Sequence, residues 1–204
     1  MLILNIEEIT KQVIENNNGI TKAGGLISAG ISRTEIQKLC NDDYIERICH
    51  GYYKLTKQYD VLEEQIIATT IPKAIVSLES ALYHYNYSDF SPRKWSITVP
   101  RNMSRKILSS SVVPLQIYYV QDNLYELGKT TDISNGIQIS IYDRERTICD
   151  CFKYRSKIDS EIFNKAVNAY AKDDEKFLTN LSLYAKELRV YKKVTELMEV
   201  LIND

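Results

Sequence analysis

Histidine and tryptophan are nearly missing from this 204-residue sequence, with two and one copies, and glycine numbers only seven. With His50 and His84 alone to draw on, no Ser/His/Asp or Cys/His set assembles convincingly. Glycine is too sparse for a phosphate-cradling loop: Gly24-Gly25 opens no strand–loop–helix unit, and no GxxxxGK[ST] pattern occurs. GxSxG, HExxH and HxE…CxxC arrangements are absent as well. The chain therefore reads as a non-enzyme that needs no cofactor. No apolar run approaches the roughly 18–20 residues that span a bilayer, so no membrane partner is expected. Met1-Leu2-Ile3-Leu4-Asn5 lacks a basic start and a cleavage site, which makes the cytoplasm the expected location. There the four cysteines, Cys40, Cys49, Cys149 and Cys151, are expected to be reduced thiols. Cys149-Asp150-Cys151 leaves one residue between sulfurs where structural zinc sites use two to four, so no metal site is expected.

Excess charge is missing too. Lys+Arg number 26 against 27 Asp+Glu, for a net charge of −1, so any nucleic-acid surface must be a local face. What is present is ordinary for a folded chain, 44% hydrophobic and 26% charged residues, enough for one large domain or two small ones. Tyrosine is the outlier at 15 copies, and a tyrosine-rich core is the expected use.

The clearest architecture lies in residues 1–58. Asn5 and Glu8 have capping-box spacing, with Leu4 and Ile9 as the hydrophobic staple, and Ile6, Ile9 and Val13 recur at helical spacing. A second short helix is expected over Lys22–Ala29 behind a Thr21 cap, with Gly30 as its stop. Ile31, Ser32, Glu35 and Ile36 repeat the box-and-staple pattern for a third helix. At about 100° per residue, Arg33, Thr34, Gln37, Lys38 and Asn41 share one face of that helix, while Ile36, Leu39 and Cys40 share the other. Cations, amides and a hydroxyl are the side chains that grip phosphates and read base edges.

Tyr44–Cys49, the His50-Gly51 turn and Tyr52–Leu55 then read as a hairpin. Three helices and a hairpin make a winged helix-turn-helix, whose wing would carry Arg47, His50, Lys54 and Lys57 near the flanking backbone, and Lys22 is a further DNA-binding candidate. The fold expected for the whole chain is α+β, a DNA-binding domain over 1–58 and a mixed domain over 59–204. In the second part, helices are expected over 59–70 and 78–85, and strands over 95–99, 115–120 and 137–141 behind an Asn135-Gly136 turn. Helices over 143–155, 160–171, 174–187 and 190–202 follow, with Ser160 and Asp173 or Asp174 as caps.

Two further features carry charge. Arg93, Lys94, Arg101, Arg105 and Lys106 occur with no acid between Arg93 and Gln121, a stretch suited to RNA, DNA or an acidic partner. Asp143, Glu145 and Asp150 resemble a carboxylate set for metal, but a cap at Asp143 and an Arg146–Asp150 pair at i,i+4 explain them better.

In order, Arg47-Ile48-Cys49-His50-Gly51-Tyr52-Tyr53, Ser77-Leu78-Glu79-Ser80-Ala81-Leu82-Tyr83-His84-Tyr85 and Ile141-Tyr142-Asp143-Arg144-Glu145-Arg146-Thr147-Ile148-Cys149-Asp150 thread the chain to about residue 155. This ordered trio resembles the AbiE-type abortive-infection antitoxins. The resemblance implies an antitoxin of a type IV toxin–antitoxin pair directed against phage. Its winged helix would repress its own promoter at inverted repeats, with self-association on DNA. Its second domain would counter a cognate nucleotidyltransferase toxin without a stable complex. By position, Arg33, Lys38, Arg47 and Lys54 are the DNA residues, and Arg93, Lys94, Arg101, Arg105 and Lys106 the antitoxin surface. A winged-helix protein-interaction module and a transcriptional regulator that is not an antitoxin remain the alternatives.

Overall fold

The computed structural model describes residues 5–57 and 61–203, with the side chains of residues 107, 202 and 203 left aside. It is α+β and divides into two compact units, residues 1–72 with 104–113 and residues 73–103 with 114–204. The Leu4 staple and the start of the helix expected over 59–70 lie outside the described residues.

The first unit opens with α1 (Ile6–Asn16), β1 (Thr21–Lys22), α2 (Ala23–Ser28) and α3 (Arg33–Asn41). It continues with β2 (Ile45–Cys49), β3 (Tyr52–Leu55) and α4 (Glu63–Thr70). The strands form one antiparallel sheet in the order β1-β3-β2, with a bulge in β2 between Arg47 and Cys49. Ile14, Leu26, Ile31, Ile36, Leu39, Ile45 and Leu55 interlock beneath it, one side chain or more from each of α1, α2, α3, β2 and β3. Each such burial contributes about 1.5–3 kcal/mol before entropy is counted. Gly30, at φ +94°, lets the chain turn from α2 into α3 in a conformation closed to most residues.

Several local signals are overridden. Asn5 occupies the N-cap of α1, but its side chain makes no capping bond. Thr21 is no cap at all: it pairs with Tyr53 in β1, and α2 begins behind Lys22. Ladder bonds to β3 have taken the backbone that the expected cap needed. The helix expected over 59–70 starts at Glu63. A short helix between the later strands, α6 (Arg105–Ser109), also groups with this unit.

The second unit contains β4 (Ile75–Val76), α5 (Leu78–His84), β5 (Trp95–Pro100), β6 (Leu115–Val120), α7 (Asp122–Tyr125), β7 (Lys129–Ser134) and β8 (Ile137–Tyr142). Four helices close the chain: α8 (Arg144–Lys153), α9 (Ser160–Ala171), α10 (Leu178–Glu187) and α11 (Tyr191–Asn203). The mixed five-stranded sheet runs β6-β5-β4-β8-β7. Asn135-Gly136 turns β7 into β8 with both residues at positive φ, the geometry of a two-residue hairpin. Two caps differ from expectation. Asp159 rather than Ser160 caps α9, accepting from the Glu161 N–H, and α10 starts behind Phe177 rather than Asp173 or Asp174.

Helix α8 is the axis of this unit. Ile148, Cys149, Cys151 and Phe152 bury among Leu82, Phe163, Val167, Tyr170, Leu181 and Val194 from α5, α9, α10 and α11. Both cysteines are unpaired core thiols, and burial pushes them well above the usual thiol range. Tyrosines fill much of the remaining space and spend their hydroxyls on hydrogen bonds. Tyr85 donates to the Tyr142 carbonyl, Tyr142 to the Tyr125 carbonyl and Tyr125 to the Lys73 carbonyl, all at 2.9–3.0 Å.

Arg146, with no exposed surface, lies at the start of α8. Its Nε donates to Asp150 at 3.1 Å, and its Nη1 donates to the Leu124 and Leu127 carbonyls at 2.7 Å each. The guanidinium lies 4.0 Å from the centre of the Tyr142 ring. Gly128 makes room for it. At φ +71°, an added Cβ would stand 2.5 Å from Arg146 Cβ, and the Gly128 carbonyl accepts from the Asp143 N–H at 2.7 Å. Gly128→Ala is expected to cost about 3 kcal/mol, from backbone strain and a clash with a side chain that cannot retreat. Urea unfolding would measure it, and a loss within error of zero would contradict this account.

Candidate nucleic-acid interface

Helix α3 begins with a complete capping box. The Ser32 hydroxyl accepts from the Glu35 N–H at 3.3 Å, and the Glu35 carboxylate accepts from the Ser32 N–H at 2.7 Å. These bonds hold the Glu35 carboxyl below its ordinary range, with the Ser32 side chain the larger cause. The acid is thereby tied to the helix end rather than presented along its face. Ile36 and Leu39 turn into the core, and Arg33, Thr34, Gln37, Lys38 and Asn41 are all exposed. Gln37 donates to Asn41 at 3.1 Å, which orders the two amides along one line of the face.

The hairpin beside it is less basic than its sequence. Lys54 pairs with Glu46 at 2.7 Å, directly across the β2–β3 ladder. Arg47 donates from Nε to the Cys49 carbonyl at 3.2 Å and from Nη2 toward His50 Nδ1 at 3.0 Å. Its guanidinium thus braces the turn. Lys22 holds its ammonium 5.5 Å from the centre of the Tyr52 ring, and Lys57 is exposed. Of the cations in this region, Arg33 and Lys38 stand on the exposed α3 face, and no ion pair to either is found among the described residues.

The basic stretch between Arg93 and Gln121 is divided between the two units. Arg93, Lys94 and Arg101 belong to the second unit, whereas Arg105 and Lys106 belong to the first. Within the second unit, Lys94 and Arg101 flank opposite ends of β5, six residues that extend about 20 Å. All five side chains are exposed.

No protein-family model matches this chain, and no curated protein matches it. Among solved structures, the crystal structure of the RV2827C protein from Mycobacterium tuberculosis is similar. The TM-score is 0.67 at 10% identity, over 96% of this chain and 79% of that one. At that identity the likeness extends to the fold alone.

The carboxylates of Asp143, Glu145 and Asp150, at the cap and along α8, are each engaged in holding the unit together. Asp143 accepts from the Arg146 N–H at 2.7 Å and from the Tyr184 hydroxyl at 3.0 Å. Glu145 accepts from Tyr170 and from the Phe177 N–H, and Asp150 from Arg146. Arg144, stacked 4.9 Å from the Tyr85 ring centre, pairs with Asp173 and Glu175. Among the described residues, no three His, Cys, Asp or Glu side chains are placed to hold a metal ion. No described helix is long and apolar enough to cross a membrane.

Burial raises the Asp143 carboxyl from 3.8 to about 6, against the opposing pull of its hydrogen bonds. Between those values the folded chain keeps a proton there that the unfolded chain has released, so this group's contribution to stability falls as pH rises. Asp132 beside His84 and Asp173 beside Tyr87 are shifted downward, so their support is lost only as pH falls through 3.8 and below. Asp143→Asn keeps an acceptor oxygen for the Arg146 N–H and offers its amide N–H to the Tyr184 hydroxyl, which can accept, while removing the titration. Melting temperatures of this variant should vary less with pH from 3.8 to about 6 than those of the parent chain, and an unchanged profile would refute the assignment.

Proposed function

We propose that the first unit is a winged helix-turn-helix module that binds duplex DNA through the exposed face of α3. The observation that carries this reading is the sorting of charge in a neutral domain. Seven cations and seven acids occur over residues 1–58. Glu7, Glu8 and Glu15 are placed on α1, Glu35 is bound into its own helix cap, Glu46 is paired with Lys54, and Asp42 and Asp43 lie exposed beyond the C-terminal end of α3. That leaves Arg33, Thr34, Gln37 and Lys38 on a face without an intervening exposed acid. A nine-residue helix about 13 Å long suits a major groove, and its N-terminal half does most of the base reading in such modules.

The biological role we propose is that of an autorepressing antitoxin. It rests on the resemblance of three ordered segments to AbiE-type antitoxins: the β2–β3 hairpin, α5, and the β8–α8 junction. In this reading the promoter carries inverted repeats, and the second unit counters a nucleotidyltransferase toxin. The alternative, a protein-docking module, is favoured by one observation: the hairpin offers little uncompensated charge, since Lys54 is paired and Arg47 is bound to its own turn.

Arg33→Ala with Lys38→Ala should weaken binding to the DNA upstream of the gene by roughly tenfold or more and lower the slope of log affinity against log salt by about 2, one unit per lost phosphate contact. Fluorescence anisotropy across a salt series would show both effects, and an unchanged slope would exclude the α3 face. The antitoxin role has a separate assay, co-expression with a nucleotidyltransferase encoded beside the gene. Replacing Arg93, Lys94 and Arg101 by alanine should abolish rescue of growth while leaving DNA affinity unaltered. Full rescue would move the antitoxic surface away from these residues.

A further inference from the structure

The first unit encloses a pocket of about 450 Å³ beside the turn of its hairpin, within the roughly 300–1,000 Å³ of small-molecule sites. Cys49, His50 and Tyr52 of the hairpin line it, with Ser104, Lys106 and Ser110 from the segment that carries α6. No carboxylate is among the lining residues. The pocket shares no residue with the α3 face.

Two of its donors, Ser104 and Lys106, have little other work. Ser104 occupies the N-cap of α6 but makes no capping bond. Lys106 is exposed, and among the described residues it forms no ion pair. His50 is oriented by its neighbour. Arg47 can only donate, so its contact at 3.0 Å makes His50 Nδ1 an acceptor and leaves the imidazole proton on Nε2. Nε2 is thus a hydrogen-bond donor, backed by a guanidinium that is itself anchored on the Cys49 carbonyl. On β1, opposite Tyr52, the Lys22 ammonium adds positive potential 5.5 Å from the Tyr52 ring centre.

An ammonium, an imidazole N–H and a hydroxyl, with no competing carboxylate, complement an oxyanion. A phenol ring in the same wall offers a flat apolar surface to a heterocycle. We infer that this pocket binds a small phosphate ester of the nucleotide class, the phosphate on Lys106, His50 Nε2 and Ser104 and the base against Tyr52. A backbone phosphodiester of DNA carries the same oxyanion, and the test separates the two sources.

The test is calorimetric titration of the full chain, without DNA, using ATP, GTP and inorganic phosphate as probes. At least one nucleotide should bind one to one, with a dissociation constant of about 1 mM or lower and more tightly than inorganic phosphate. Lys106→Ala and His50→Ala should each weaken it roughly tenfold, the effect of losing one charge-assisted or oriented donor. Arg33→Ala with Lys38→Ala should leave it unchanged, which keeps this site distinct from the proposed DNA face. Absence of binding by both nucleotides overturns the inference, as does an affinity that ignores Lys106→Ala. If neither nucleotide binds while Lys106→Ala lowers affinity for duplex DNA, the pocket takes a backbone phosphate and the free ester is excluded.

Discussion

A fully buried arginine is the constraint on which the second unit depends. Once Arg146 is out of water, every protein group around it must offset the lost hydration, and removing a partner from such a pair typically costs about 3–5 kcal/mol. The offset comes from three directions. Asp150 is one turn along the same helix, the Leu124 and Leu127 carbonyls come from α7 and the bend after it, and the Tyr142 ring comes from the last residue of β8. A loop, a strand end and a helix start are therefore fixed to one another by a single side chain. Gly128 follows as a consequence, because the Cβ and Cγ of the anchored Arg146 leave no space for a Cβ at the bend. A hydrophobic replacement of the pair would leave two carbonyls without donors, so the arginine is not simply exchangeable for leucine.

The tyrosines extend the same logic. A phenol fills apolar volume and then must find an acceptor, and for Tyr85, Tyr142, Tyr170 and Tyr184 the acceptors are backbone carbonyls at element ends or the carboxylates that open α8. Burial raises Tyr184 to about 12, in keeping with a hydroxyl held as a donor to Asp143. The excess of tyrosine over phenylalanine thus matches a core whose junctions are polar.

Some of this was readable in the sequence because the signals are local. Ser32 and Glu35 close a box within one helical turn, Asn135-Gly136 adopts its turn geometry without outside help, and the Arg146–Asp150 pair is a neighbour relation on one helix. Other features needed the tertiary structure. Thr21 looks like a cap until β3 claims its backbone. Two-residue β4 is too short to show a period, yet it sits at the centre of its sheet, with β5 on one side and β8 on the other. Asp173 has the composition of a cap but is drawn to Arg144 and Tyr87. The reach of the basic stretch was illegible for the same reason. Nothing in an acid-free run from Arg93 to Gln121 says that the chain crosses between two packing units within it.

The candidate face on α3 shows how a neutral domain can still present a positive surface. Asp42 and Asp43 are exposed immediately beyond the helix, so the potential along α3 falls toward its C-terminal end. Arg33 stands in the first turn, beside the N–H groups that any helix start supplies, whereas Lys38 stands in the last turn. A polyanion approaching this helix would be drawn to its N-terminal half, with Gln37 and Asn41 already aligned by their own hydrogen bond. On this argument the position of the charges, rather than their sum, gives the surface its direction.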